Sequence, residues 1–203
     1  MSNFPELNGK TRDDAWQILT EWIQSESLRK HCLSVETAMR AYAEKLGEPV
    51  EAWGILGLLH DFDYEKHPTV DEHTQVGSMV LRETGWPDWL ADALLAHGFD
   101  ENFPRTTHYD RALFAVDELT GFISAVALVR PSKSVRDVKV KSVTKKMKDK
   151  AFAAAINRDE LREGAEEFGV DFTEHVGVII EAMSANAEAL GLAGIQEGQE
   201  SDS

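Results

Sequence analysis

Six residues with metal-binding chemistry follow one another along the chain: His31, His60, Asp61, His73, His97 and Asp117. The adjacent pair is the most informative. In Leu58-Leu59-His60-Asp61-Phe62-Asp63 an imidazole and a carboxylate stand side by side at the end of an apolar run. Imidazole nitrogen and carboxylate oxygen together suit a borderline-to-hard divalent cation such as Mn, Fe, Zn or Mg. One carboxylate can reach two cations, which makes Asp61 the natural bridging group. A single histidine in a helix is more often a surface or hydrogen-bonded residue. The ordered set is what argues for a metal.

Ligands must converge to within about 2.0–2.5 Å of an ion, so the elements carrying them have to pack together. Helical signals dominate the chain. Thr11 and Asp14 form a capping pair that opens a helix through about Ile23. Ser27 is the expected cap of a second helix, which carries His31 and runs to about Leu46 before Gly47. Pro49 starts a third, which carries Trp53, Ile55, Leu56, Leu58 and Leu59 into His60. Residues 61–71 read as a loop, and a helix from about Glu72 to Glu83 should hold His73. Pro87 opens the next helix, through His97 to Gly98, followed by a loop over 99–106. A long helix over about 109–129 carries Asp117, and two more are expected over 159–168 and 172–190. No strand alternation and no internal repeat is evident.

The order of the six residues resembles the HD-domain superfamily of metal-dependent phosphohydrolases, whose minimal signature is H…HD…D. His31, His60, Asp61 and Asp117 match that minimal set. His73 and His97 resemble the longer H…HD…H…H…D version, which in the family holds two metals. Glu72-His73-Thr74-Gln75-Val76-Gly77-Ser78-Met79-Val80-Leu81 looks like the helix that follows the pair in that version. The resemblance covers roughly residues 25–125. Some relatives read His-Asp-Ile-Gly-Lys with the lysine near the substrate. Here Phe62-Asp63-Tyr64 follows the pair, so that role is not carried over.

The resemblance implies an all-α helical bundle with the metal site in its core. His31, His60, Asp61 and Asp117 would hold a first divalent ion, and His73, His97 and Asp61 a second. The implied reaction is hydrolysis of a phosphate ester, a phosphodiester or nucleotide-like small molecule, by a metal-activated hydroxide at this dinuclear site, with Asp61 and His60 at its centre. A few relatives with the same six residues hold two irons and use oxygen to cleave C–C or C–P bonds. A non-catalytic regulatory role is a third reading.

Other residues are weighed against these. Asp63 and Glu65 are either partners that orient a ligand imidazole or solvated loop acids. Glu36 lies slightly off the His31 face, and Glu118 points away from Asp117. His67 and His108 read as loop residues, with His108 able to reach the pocket mouth, and His175 as a helix-surface residue. Cys32 reads as core. Trp16, Trp22, Trp53, Trp86 and Trp89 fit core packing better than base stacking.

A chain of 203 residues, 42% hydrophobic, can bury a substantial core as one domain. The expected boundaries are one helical domain over 1–190, with its centre at 25–130, and a disordered acidic tail over 191–203. The net charge of −15 argues against nucleic-acid or membrane-surface binding. Residues 130–150 reverse that balance, with nine basic against two acidic residues. Lys141, Lys145 and Lys148 are spaced to share one helix face. With Arg130, Lys133 and Arg158 they could grip or steer a phosphorylated substrate. No run approaches the roughly 18 apolar residues that span a bilayer, and Met1–Glu6 lacks a leader pattern. One cysteine permits no internal disulfide, so a reducing cytoplasm is the default. The sequence does not distinguish monomer from homodimer.

Overall fold

The computed structural model describes residues 6–98 and 102–195. The N-terminal stretch read above as lacking a leader, part of the 99–106 loop, and the tail beyond Ile195 lie outside the described residues. The described chain is all-α. Its helices are α1 (Arg12–Trp22), α2 (Glu26–Leu46), α3 (Val50–Leu59), α4 (Gln75–Glu83), α5 (Asp88–His97), α6 (His108–Leu128), α7 (Val140–Lys146), α8 (Arg158–Phe168) and α9 (Phe172–Ala185). A single 3-10 turn covers Val135–Asp137. Among the described residues β-pairing is limited to one isolated bridge between Ser134 and Ala193.

The centre of the bundle is α3. Every residue from Ala52 to Leu59 is buried, because this helix carries no polar face to offer water. It packs against α1, α2, α5 and α6. The α2–α3 contact depends on Gly57, where a Cβ would lie 3.0 Å from the Cα and backbone nitrogen of Glu36. Backbone atoms cannot yield as a flexible side chain can, so Gly57→Ala should push the two helices apart. We expect a loss of about 1–3 kcal/mol, the usual cost of overpacking, read as a lower urea midpoint. An unchanged midpoint would mean that the helices separate freely.

Two polar devices brace α2 from the outside. Glu36 is buried and accepts from Arg12 at 2.7 and 2.8 Å and from Arg40 at 2.9 Å, tying α1 to α2. His175, expected on a helix surface, is instead fully buried. Its Nε2–H donates to Ala115 O at 2.9 Å, which leaves Nδ1 to accept from the Tyr42 hydroxyl at 2.5 Å. Both ring nitrogens are thereby satisfied, which is what a buried imidazole requires. One side chain so joins α9 to α2 and α6.

Several sequence boundaries shift. Ser25, not Ser27, caps α2 by accepting from Leu28 N at 3.3 Å. His108 is the first residue of α6 rather than a loop residue, because Thr107 and Asp110 form a capping box there. α7 ends at Lys146, so Lys148 leaves the face shared by Lys141 and Lys145. α9 ends at Ala185, and the chain beyond it folds back. Leu190 and Leu192 are buried, and Val135 N donates to Leu192 O at 2.9 Å. The start of the expected disordered tail is therefore corrected. Residues 191–195 are packed against the 132–135 turn, held by two leucines that composition alone had hidden.

Candidate metal centre

Five segments deliver the six residues to one place. His31 lies on the second turn of α2 and Asp117 near the middle of α6. His60 is the C-cap of α3, with Asp61 beginning the turn beyond it. His97 is the last residue of α5. His73 precedes α4 instead of lying within it, because that helix begins only at Gln75. The residue between them, Thr74, holds φ +66°, a left-handed conformation unfavourable to a β-branched side chain.

Asp63 accounts for this turn. It is fully buried, and its Oδ2 accepts from Thr74 N at 2.9 Å and Gly77 N at 2.8 Å. It thus caps the exposed amides of α4 from another element. Its other oxygen, Oδ1, accepts from His73 Nδ1 at 3.0 Å. Gly77 is needed for this approach, since a Cβ there would lie 2.9 Å from Oδ2. Of the two readings of Asp63, the partner of a ligand imidazole is the one that fits. Glu65 instead accepts from the backbone amides of Gln24 and Ser25, at 3.0 and 2.9 Å, and fixes the α1–α2 turn.

All four imidazoles turn Nε2 inward. His31 Nε2 lies 2.9 Å from Asp117 Oδ1, and His60 Nε2 lies 3.3 Å from the same oxygen. Asp61 is shared. Its Oδ2 is 3.8 Å from His31 Nε2 and 3.6 Å from His60 Nε2, whereas its Oδ1 is 3.3 Å from both His73 Nε2 and His97 Nε2. Donor atoms around one ion at about 2.1 Å stand about 3.0–3.4 Å apart, so the 2.9 and 3.3 Å spacings suit metal coordination, while those of 3.6 and 3.8 Å to Asp61 Oδ2 are a few tenths wider. Three overlapping groups of donors result: His31–His60–Asp61, His60–His97–Asp117 and Asp61–His73–His97.

Hydrogen bonds on the outer nitrogens fix two of the rings. His60 Nδ1–H donates to Gly57 O at 2.8 Å, a carbonyl left free at the end of α3. His73 Nδ1–H donates to Asp63. Each bond leaves the Nε2 lone pair of the neutral ring free for a cation. His97 Nδ1 is buried without a hydrogen-bond partner. Side-chain exposure falls from 24% at His31 through 13% at His73 and 10% at His97 to none at His60. The centre therefore opens beside His31.

Without a cation, protons take its place. Burial alone would lower the His60 pKa, but Asp61 and Asp117 outweigh it and raise it from 6.5 to about 9. Burial is likewise outweighed at His73, where Asp61 and Asp63 also bring the pKa to about 9. Against burial that would push both up, His60, His73 and His97 hold Asp61, and His60 and His31 hold Asp117, well below the usual carboxylate range. The consequence for pH has a definite sign. Histidines whose pKa is raised by folding stabilise the metal-free protein fully below about pH 6.5, and that contribution disappears as pH rises through 9. Metal needs the deprotonated rings, so its affinity grows over the same interval. Melting scans should show the metal-free protein losing several degrees between pH 6.5 and 9, while the rise in Tm on adding Mn or Zn becomes larger. Opposite slopes would contradict this charge assignment.

The remaining sequence candidates fall elsewhere. Cys32 is core, its thiol pushed well above its usual pKa by burial and then by Asp61 and Asp117. Glu118 faces outward. His67 and His108 sit beside Glu72 and Glu48, at 3.8 and 3.5 Å. Arg130 and Lys145 line a groove with Val129, Pro131 and Ser142 at the far end of α6. At about 1.5 Å per residue, the end of α6 lies roughly 17 Å along the axis from Asp117, so Arg130 and Lys145 are not brought to the metal-capable groups. Lys133 and Lys141 are exposed on the same basic segment. What sequence reading missed is a pocket of about 590 Å³ against His31, with walls that include Lys30, Ser34, Ser124 and Leu192.

Residues 28–121 match the family model of the HD domain. Over this span, a little under half of its length, the chain is similar to the HD domain. The HD match runs from the first turn of α2 to Gly121 in α6 and contains all six metal-capable residues. HD domains are all-α, and the family consists mostly of metal-dependent hydrolases. α1, α7, α8, α9 and the 190–195 segment lie outside the HD match. No curated protein and no solved structure matches the chain. Among the described residues no helix is long and apolar enough to cross a membrane.

Proposed function

We propose that the chain is a metal-dependent hydrolase of phosphate esters, acting on a phosphodiester or nucleotide-like small molecule at a dinuclear centre. One observation carries the reading. The two oxygens of Asp61 are divided, Oδ2 toward His31 and His60 and Oδ1 toward His73 and His97. A carboxylate with a histidine pair on each oxygen is suited to bridge two cations. In this reading His31, His60, Asp61 and Asp117 hold one ion, and Asp61, His73 and His97 hold the other. When bound, two such cations supply an activated water at neutral pH and neutralise charge on the phosphoryl group.

The protein's own part is positional. Asp63 and the Gly57 carbonyl keep His73 and His60 in the tautomer that presents Nε2. The apolar surroundings of α3 exclude bulk water from the closed side, while the His31 side admits substrate. Arg130, Lys133, Lys141 and Lys145 raise the local concentration of an anionic substrate in an otherwise negative field without touching the reacting group.

The test combines elemental mass spectrometry of protein purified without added metal with assays for release of alcohol or phosphate from mono- and diesters. About two ions per chain and turnover with Mn, Mg or Zn are expected. Iron as the bound metal, with oxygen consumed as substrate disappears, would replace hydrolysis by the oxygenase reading. Metal without turnover of any ester would favour a regulatory role.

A further inference from the structure

The pocket beside His31 is built by two faces that also carry metal-capable residues. On α2, Ser27, Lys30, His31 and Ser34 are spaced i, i+3, i+4 and i+7 and line it together. On α6, Gly121, Ser124 and Leu128 line it, four, seven and eleven residues beyond Asp117 on one face. Small side chains along both helices leave the space between them open. The third wall is Leu190-Gly191-Leu192. Gly191 adopts φ +67°, and a Cβ there would come within 2.9 Å of Lys30 Cε and Nζ. The positive φ favours glycine here, and the absence of a side chain leaves the Lys30 ammonium in place beneath the segment.

The chemistry of these walls is selective. Ser34 Oγ donates to Lys30 O and Ser124 Oγ donates to Thr120 O, both at 2.8 Å. These hydroxyls have spent their protons on their own helices and offer only acceptor lone pairs. Ser25 Oγ accepts from Leu28 N and shares a 2.9 Å hydrogen bond with Ser27 Oγ. Lys30, the one cation in the lining, is paired with Glu26 at 2.5 Å. The rest is leucine and glycine, with His31 at the side of the metal-capable groups. Acceptors, hydrocarbon and a neutralised lysine reject a second anionic group and accept an uncharged, partly apolar one.

We propose that this pocket binds the organic group of the substrate, and that the group is an uncharged alcohol with an apolar body rather than one bearing a further phosphate or carboxylate. The inference rests on the hydrolase reading for its chemistry, but its binding test does not require turnover. Three non-hydrolysable probes, methylphosphonate, phenylphosphonate and 4-carboxyphenylphosphonate, are titrated calorimetrically into the metal-loaded full chain. Phenylphosphonate should bind at least tenfold more tightly than methylphosphonate, as burial of an aromatic ring allows. The carboxylated probe should lose that gain. Ser124→Phe, which fills the pocket, should reduce the phenyl-over-methyl preference to threefold or less. Should that variant not fold, Leu128→Asp replaces a half-exposed side chain of the lining and should cut phenylphosphonate affinity by a similar factor. Equal binding of the methyl and phenyl probes would overturn the proposal. So would a preference that survives both variants, or tighter binding of the carboxylated probe. The preference without hydrolysis of any ester would retain the pocket and remove the hydrolase reading. Hydrolysis without the preference would do the reverse.

Discussion

Asp61→Ala is expected to lose bound metal from both halves of the centre and to abolish turnover. The reason is geometric. Asp61 presents one oxygen to each histidine pair, at 3.3 Å on the His73–His97 side, whereas Asp117 approaches His31 and His60 at 2.9 and 3.3 Å and reaches His97 only at 3.7 Å. In the proposed assignment, removing Asp61 takes a ligand from each ion and the carboxylate that joins the two histidine pairs most closely. Charge stabilisation by bound cations is worth several kcal/mol, and each 1.36 kcal/mol is tenfold in rate. A fall in kcat/KM of at least roughly a thousandfold is therefore expected. Metal content per chain should drop from about two toward zero in protein purified without added metal. His97→Ala supplies the contrast, since it removes a ligand that faces Asp61 Oδ1 and spares His31 and His60. It should keep about one ion. If Asp61→Ala held two ions, the bridging assignment would be wrong whatever happened to activity.

The same substitution changes the metal-free protein. Asp61 is one of the carboxylates that keep His60 and His73 protonated at neutral pH. Without it both rings titrate closer to their ordinary value. The pH-dependent loss of stability between 6.5 and 9 should shrink. A melting series on the metal-free variant separates this effect from loss of ligand, because no metal is involved.

How far the sequence reveals this centre depends on which physical signal each residue leaves. His60 and Asp61 are legible because an apolar helix long enough to be buried must end somewhere, and polar side chains at its end have to face a prepared environment. His31, His97 and Asp117 are legible by their order and by the capping and breaking residues around their helices. Thr11, Gly47, Pro87 and Gly98 mark helix ends where the structure has them. His73 is read on a helix and found just before one. The reason is Thr74, whose left-handed backbone is held by a carboxylate eleven residues earlier. No local propensity encodes that. His175 is misread as surface for a related reason, since its partners, Tyr42 and the Ala115 carbonyl, are 133 and 60 residues away. The basic segment shows the opposite failure. Its composition is conspicuous, but the length of α6 carries Arg130 and Lys145 away from Asp117. The pocket wall at 190–192 leaves almost no signal, because two leucines in a Gly-rich stretch do not announce a fold-back.

Asp63 offers the sharpest separation between folding and metal binding. It is buried, and its two oxygens serve different masters. Oδ2 accepts from Thr74 N and Gly77 N, and Oδ1 accepts from His73 Nδ1. Asp63→Ala would leave two buried amides and an imidazole N–H unpaired. At about 1–3 kcal/mol for each buried group left without a partner, a loss of roughly 3–5 kcal/mol is expected, with fraying of the start of α4. Asp63→Asn is the informative variant. Its carbonyl oxygen can keep the two amides of α4, so the fold should lose at most about 1–2 kcal/mol. Its NH2 group must then face His73 Nδ1, and a donor cannot be met by a donor. The ring is driven to carry its proton on Nε2, the atom that faces Asp61. That tautomer cannot bind a cation. Loss of such an orienting partner typically costs 10- to 100-fold in metal affinity, and it should fall only on the ion proposed for His73 and His97. Titration of the metal-free variant with Mn or Zn should show one tight site unchanged and one weakened. Two unchanged sites in a folded Asp63→Asn protein would mean that His73 needs no orientation from Asp63, and its Nδ1 contact would then serve only the turn before α4.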